Sequence, residues 1–143
     1  MNVEAILKSK GRSVATIRPQ ETIGDAVKAL RAQNIGALVV SEDGESVEGI
    51  LSERDIVHAL ADDGGRLLSA SVEAVMTRLV MTCEPADSIS DLMAEMTHHR
   101  VRHFPVVCGG RLCGIVSIGD LVKSRLDEIE YEARSLRSFI LGC

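Results

Sequence analysis

The chain has 143 residues, a net charge of −5, 45% hydrophobic residues and three Phe or Tyr rings, Phe104, Tyr131 and Phe139. That length holds one domain or two very small ones, with a core of Val, Ile, Leu, Met and Ala. The acidic balance opposes sequence-independent nucleic-acid binding, no apolar run approaches the roughly 18 residues of a membrane span, and Met1-Asn2-Val3-Glu4 lacks the regions of a secretory signal, so a cytoplasmic location is expected.

Residues 2–10 read as a short N-terminal helix. Thr22 then has the chemistry of an N-cap, since its hydroxyl can accept from a free amide of the first helical turn. Ile23, Ala26, Val27 and Leu30 form the helical stripe behind it, and Asn34 lies near the helix end. The apolar, β-branched run 37–40 predicts a strand, Glu42-Asp43-Gly44-Glu45 a turn, and 47–51 a second strand. A second helix follows Ser52. Residues 62–74, with Asp62-Asp63-Gly64-Gly65, read as a connection.

The order then repeats. Ser88 caps a helix with the stripe Ile89, Leu92, Met93 and Met96, which ends near Arg100. Residues 104–107 and 112–116 form a hairpin around Gly109-Gly110, and a helix follows Ser117. At a shift of 66 residues, Val14, Thr16, Pro19, Ile23, Asp25 and Val40 meet Val80, Thr82, Pro85, Ile89, Asp91 and Val106. At a shift of 65, Gly49, Ile50, Ser52, Asp55 and Val57 meet Gly114, Ile115, Ser117, Asp120 and Val122. The chain is two copies of a strand–helix–strand–strand–helix unit. Pro105, without an N–H, belongs early in its strand or on a sheet edge. The final helix runs on, with Val122, Leu126, Ile129, Ala133, Leu136 and Ile140 on one stripe. That stripe covers either its own domain or a second chain.

The two junctions, Gly49-Ile50-Leu51-Ser52-Glu53-Arg54-Asp55 and Gly114-Ile115-Val116-Ser117-Ile118-Gly119-Asp120, allow two compatible readings. One is a capping box, with Ser as the cap and Asp answering it. The other is a binding site, with the Ser hydroxyl and free helix amides toward phosphate and the carboxylate toward a ribose diol. Cys83, Cys108 and Cys113 read as small buried hydrophobes and Cys143 as a terminal thiol. His98, His99 and His103 lack metal-ligand spacing with these cysteines, so no metal site is expected. No catalytic constellation is identifiable, so an enzyme is not expected.

The doubled Pro-x-x-Thr/Ser-Ile-x-Asp and Gly-Ile-x-Ser-x-x-Asp patterns resemble the CBS domain, whose copies come in tandem pairs. Ala74-Val75-Met76-Thr77 resembles the segment that opens a repeat, and Val101-Arg102-His103-Phe104-Pro105-Val106-Val107 resembles the family's strand motif. The resemblance implies an α+β fold of two β-α-β-β-α repeats related by a pseudo-twofold axis, with an extended C-terminal helix. The expected divisions are 1–62 (first repeat with the N-terminal helix), 63–73 (linker), 74–126 (second repeat) and 127–143 (amphipathic helix). It also implies a stand-alone regulatory module that binds an adenosine-containing ligand (AMP, ADP, ATP, NAD or S-adenosylmethionine) and changes conformation. Carried onto this sequence, Asp55 and Asp120 would hold ribose, while Ser52, Ser117 and Arg54 would meet phosphate. Arg102 and His103 are expected on the other wall of the second cleft, where their counterparts in the first copy are Gly36 and Ala37. Gly119, the counterpart of Arg54, permits close backbone approach, and Thr16, Thr82 and Pro105 complete the binding set. A homodimer and an unidentified regulated protein are the expected partners. The alternative is a structural dimerisation module with empty clefts.

Overall fold

Each predicted cap opens a helix in the computed structural model, which describes residues 1–142; Cys143 lies outside them. The hydroxyls of Thr22, Ser52, Ser88 and Ser117 accept from the amides of Asp25, Asp55, Asp91 and Asp120 at 3.1–3.3 Å. At Thr22, Ser52 and Ser117 the Asp carboxylate accepts the cap's own N–H in return, which closes a capping box. The helices so started are α2 (Ile23–Gln33), α3 (Glu53–Asp63), α5 (Ile89–His99) and α6 (Ile118–Leu141); α1 (Val3–Lys10) and the single-turn α4 (Val72–Val75) precede the repeats. Asn34 and Arg100 end α2 and α5 in the left-handed conformation, with φ of 53° and 56°.

In the first copy β1 (Thr16–Ile17) lies parallel to β2 (Ala37–Val40), which pairs antiparallel with β3 (Gly49–Ser52). In the second, β4 (His103–Cys108) and β5 (Arg111–Ser117) form the hairpin, and the counterpart of β1 is a single parallel bridge between Cys83 and Val106. Pro105 accounts for the difference. The Val39 amide donates to the Ala15 carbonyl at 3.1 Å, whereas Pro105, at the equivalent position, has no N–H to give. The residue is buried and sits third in its strand, with its carbonyl accepting from the Cys83 amide at 3.0 Å.

The two cores are formed by exchange. Val3, Ile6 and Leu7 of α1 are buried with Cys83, Ile89, Phe104, Val106, Val116 and Leu121 of the second copy. Val72 of α4 is buried with Ile17, Ile23, Leu38, Val40 and Leu51 of the first. The backbone contacts mirror one another. Val72 and Glu73 donate to Glu21 and Pro19, and Ile23 donates to Ala70; Val3 and Glu4 donate to Asp87 and Pro85, and Ile89 donates to Met1. Each such apolar side chain contributes roughly 1.5–3 kcal/mol by leaving water, so each copy's core depends on the segment that opens the other. Residues 64–69 form a 3-10 helix whose Leu67 joins the first core, so this stretch between the repeats is packed rather than loose.

The helix α6 has 24 residues, of which Leu121 and Ser124 are buried. Leu126, Leu136 and Ile140 are 60%, 60% and 71% exposed, so the distal stripe does not cover its own domain. Cys83 is buried and Cys113 half-buried, but Cys108 is exposed, contrary to its reading as a buried hydrophobe. Cys108 and Cys113 face each other across the hairpin with sulfurs 2.6 Å apart, because an irregularity in the register after Val106 displaces Cys113.

Candidate functional site

The exchange brings the first copy's strand-to-helix junction against residues of the second. Their meeting leaves a cleft of about 250 Å³. The floor is Gly36, Ile50, Ser52, Glu53, Arg54 and Asp55; the segment after α4 supplies Thr77, Leu79, Val80 and Met81; the opposite wall is Arg100, Val101, Arg102 and His103. Three guanidiniums and an imidazole therefore face two carboxylates in a chain that is acidic overall. An anion with an apolar body suits such a lining.

Asp55 is placed by the capping box. Its Oδ2 accepts from the Ser52 amide at 2.9 Å and the Ser52 hydroxyl at 3.1 Å, and its Oδ1 accepts from the Thr77 hydroxyl at 3.1 Å. Thr77 is held in turn by two backbone bonds with Ile50, at 2.9 and 3.0 Å. Arg54 donates to the Arg100 carbonyl at 3.2 Å, which ties the floor to the wall through residues of both copies. His103 is half-buried at the start of β4, opposite Ser117, and a Cβ on Gly36 would lie 3.4 Å from its ring. Burial holds the imidazole pKa below its ordinary value, against the pull of Asp120 and Glu53. The ring is therefore mostly neutral at pH 7 and can gain a proton when an anion arrives.

Ser52, Arg54, Asp55, Arg102 and His103 of the expected binding residues share this cleft. Arg102 and His103 were expected on the other wall of the second cleft; they line the cleft with Ser52 and Asp55, while His103 also pairs with Ser117 across the hairpin, the Arg102 carbonyl accepts from the Ile118 amide at 2.8 Å, and His103 lies within electrostatic reach of Asp120. Thr16 is exposed on β1, Thr82 is exposed before Cys83, and Ala37 and Pro105 are buried in their strands; none lines the cleft. Ser117, Gly119 and Asp120 form the second junction, which faces α1. There Lys10 Nζ donates to Asp120 Oδ2 at 2.7 Å and to the Ile115 carbonyl at 3.1 Å. Burial works to raise the Asp120 pKa, but Lys10 and the Ser117 amide together hold it below the ordinary value.

Sequence reasoning missed Thr77 and Arg100 as cleft residues. Arg100 stands two residues before Arg102 in a basic run, Thr-His-His-Arg-Val-Arg-His, and that run was the available signal. It also missed that α1 and α4 are themselves copies. Val3-Glu4-Ala5 matches Val72-Glu73-Ala74, but at a shift of 69 rather than 66.

The CBS domain family's sequence pattern matches residues 6–62 and 72–127. The CBS domain-containing protein CBSX3, mitochondrial, of Arabidopsis thaliana is 34% identical over 148 residues, covering 98% of this chain and 72% of that protein. The CBS-domain containing protein ATU1752 from Agrobacterium tumefaciens is 46% identical with a TM-score of 0.84, over 87% of this chain and 99% of that one. The CBS domain pair of protein MJ0100, solved in complex with 5-methylthioadenosine and S-adenosyl-L-methionine, is 28% identical with a TM-score of 0.76, over 88% of this chain and 98% of that one.

Proposed function

This chain belongs to the CBS domain family, and from that premise we propose that it is a regulatory module that binds an adenosine-containing mononucleotide and passes occupancy on as a change in how its repeats are arranged. The observation that carries this reading is the convergence of Ser52, Arg54 and Asp55 from one copy with Arg100, Arg102 and His103 from the other around one cleft. In this reading Asp55 accepts the ribose hydroxyls, and Ser52, Arg54, Arg102 and His103 meet phosphate. The apolar side chains of Leu79, Val80, Met81 and Val101 flank the base. Binding of adenosine compounds by the MJ0100 pair supports the ligand class. About 250 Å³ lies just under the range of roughly 300–1,000 Å³ common for ligand clefts, which favours AMP over ADP, ATP or the dinucleotide NAD. Thr16, Ala37, Thr82 and Pro105, which lie outside the cleft lining, are assigned no contact in this reading, and Ser117, Gly119 and Asp120 form the second junction.

The role is regulatory rather than catalytic, and the compartment we assign is the cytoplasm. A homodimer forms through α6 beyond Arg125, where the exposed Leu126, Leu136 and Ile140 need a partner surface. The protein that reads the change is unidentified.

Isothermal titration with AMP, ATP, NAD and S-adenosylmethionine tests the reading. A ligand that binds wild type should bind Asp55→Ala on the order of tenfold or more weakly, the loss expected for a hydrogen bond to a charged group. No heat with any of the four rejects the reading and leaves the structural dimerisation module. Unchanged affinity in Asp55→Ala rejects the ribose assignment.

A further inference from the structure

The hairpin of the second copy turns on Gly109 and Gly110, whose φ of 56° and 82° suit a two-residue type I′ turn. Across that turn Cys108 pairs with Arg111 and Val107 with Leu112, but Val106 pairs with Gly114. Cys113 is therefore the extra residue of a bulge. In an unbroken ladder Cys108 and Cys113 would be diagonal neighbours on one face, too far apart to bond. The bulge draws their sulfurs to 2.6 Å, so a bond between them asks for a small side-chain shift rather than a refolded hairpin. Cys108 is exposed, Cys113 is half-buried at the edge of the second core, and Cys83 is buried within it. None of the three lines the nucleotide cleft.

We propose that Cys108 and Cys113 form a thiol–disulfide exchange site, with Cys108 the attacking and Cys113 the resolving thiol toward a low-molecular-weight disulfide. The Cys108 thiolate attacks one sulfur of the disulfide, forms a mixed disulfide with that half and expels the other half as a thiolate. Cys113 then gives up its proton and attacks Cys108 Sγ, which expels the second thiolate. Both protein thiols are oxidised, the small disulfide is reduced to two thiols, and these take up the two protons the cysteines release. Exposure decides which sulfur acts first. Burial, and then the hydrogen bond with Cys108, pushes the Cys113 thiol up to about 11, and the second contribution is lost once Cys108 is in the mixed disulfide. Burial pushes Cys83 up to about 12 and keeps it out of the exchange. The ring so closed contains Arg111 and Leu112. The Leu112 amide donates to the Glu45 carbonyl at 2.7 Å, and the Arg111 guanidinium lies 3.7 Å from the Glu45 carboxylate. The bond therefore fixes the segment that joins this hairpin to the first copy. In a reducing compartment the pair rests as a dithiol and oxidises transiently.

Glutathione disulfide added to the reduced full chain, with the products mapped by mass spectrometry after an acid quench, tests this. Wild type should lose two thiols to a Cys108–Cys113 bond, keep Cys83 unmodified and return to the starting mass with dithiothreitol. Cys113→Ser should stop with one glutathionyl group on Cys108. In Cys108→Ser, the adduct on Cys113 should form about tenfold more slowly than that, or slower still. A pair that stays reduced in excess glutathione disulfide overturns the proposal. So do glutathionyl groups accumulating on both cysteines, a bond between Cys113 and Cys83, or equal adduct rates in the two serine variants. Should a serine variant fail to fold, a brief pulse on wild type decides the order. The trapped glutathionyl group must then sit on Cys108, and one on Cys113 refutes the assignment.

Discussion

Replacing Gly49 by Ala puts a methyl group where the opening segment of the second repeat crosses onto the first. A Cβ there would lie 2.7 Å from Met76 Sδ and 2.9 Å from the Thr77 carbonyl oxygen. The thioether can swing aside, but the carbonyl cannot, because it accepts the Ile50 amide at 3.0 Å while the Thr77 amide donates back at 2.9 Å. The strand and the segment must separate. Overpacking costs about 1–3 kcal/mol and each weakened backbone bond roughly 0.5–1.5 kcal/mol, so Gly49→Ala should lose about 2–4 kcal/mol. At the mirrored position, a Cβ on Gly114 would meet the tip of Leu7 at 2.6 Å, and its three nearest atoms all belong to that side chain. Gly114→Ala should therefore cost less, about 1 kcal/mol. Urea denaturation of wild type and both variants measures the difference. Stability of Gly49→Ala within about 0.5 kcal/mol of wild type, or a larger loss in Gly114→Ala, would refute the packing described for the exchanged segments. Because Thr77 also holds Asp55, Gly49→Ala should weaken AMP binding at the first cleft as well.

Other outcomes follow from single groups. His103 has its folded pKa depressed by burial, so the unfolded chain binds the proton more readily. Its contribution to stability is present above its ordinary value near 6.5 and is lost as pH falls through the folded value; urea midpoints should drop between about pH 7 and 5, and less steeply in His103→Gln. AMP affinity should rise over the same interval as the ring gains charge, and His103→Gln should flatten that rise. Thr22→Ala removes both the acceptor for the Asp25 amide and half of a capping box, at about 1 kcal/mol by denaturant melt. Removal of residues 127–143 should convert a dimer to a monomer in sedimentation; a persisting dimer would place the seam elsewhere.

The repeated unit was legible because its signals are local. Thr22, Ser52, Ser88 and Ser117 each place a cap and an Asp three residues apart, a local pattern that closes a capping box at Thr22, Ser52 and Ser117 and a single cap bond at Ser88. Ala37–Val40 is apolar throughout and wholly buried, so its strand needed no partner to be recognised. The crossing of α1 and α4 left a fainter trace. Three matched residues at a shift of 69 fall out of register with the rest, and a helix of four residues has too few positions to show a period. The contacts around the two junctions were harder still. Lys10 and Asp120 are 110 residues apart, and their contact depends on how far α1 extends rather than on any motif. Arg100 was read as the end of a helix, which it is, but its left-handed backbone also turns the chain into the cleft wall.

Backbone amide shifts in a heteronuclear NMR titration address the binding account most directly. With a saturating adenosine ligand from among AMP, ATP, NAD and S-adenosylmethionine, the amides of Ser52, Asp55, Thr77, Arg102 and His103 should move together along one saturation curve. No saturable movement with any of the four, or movement confined to residues outside that cleft, would contradict it.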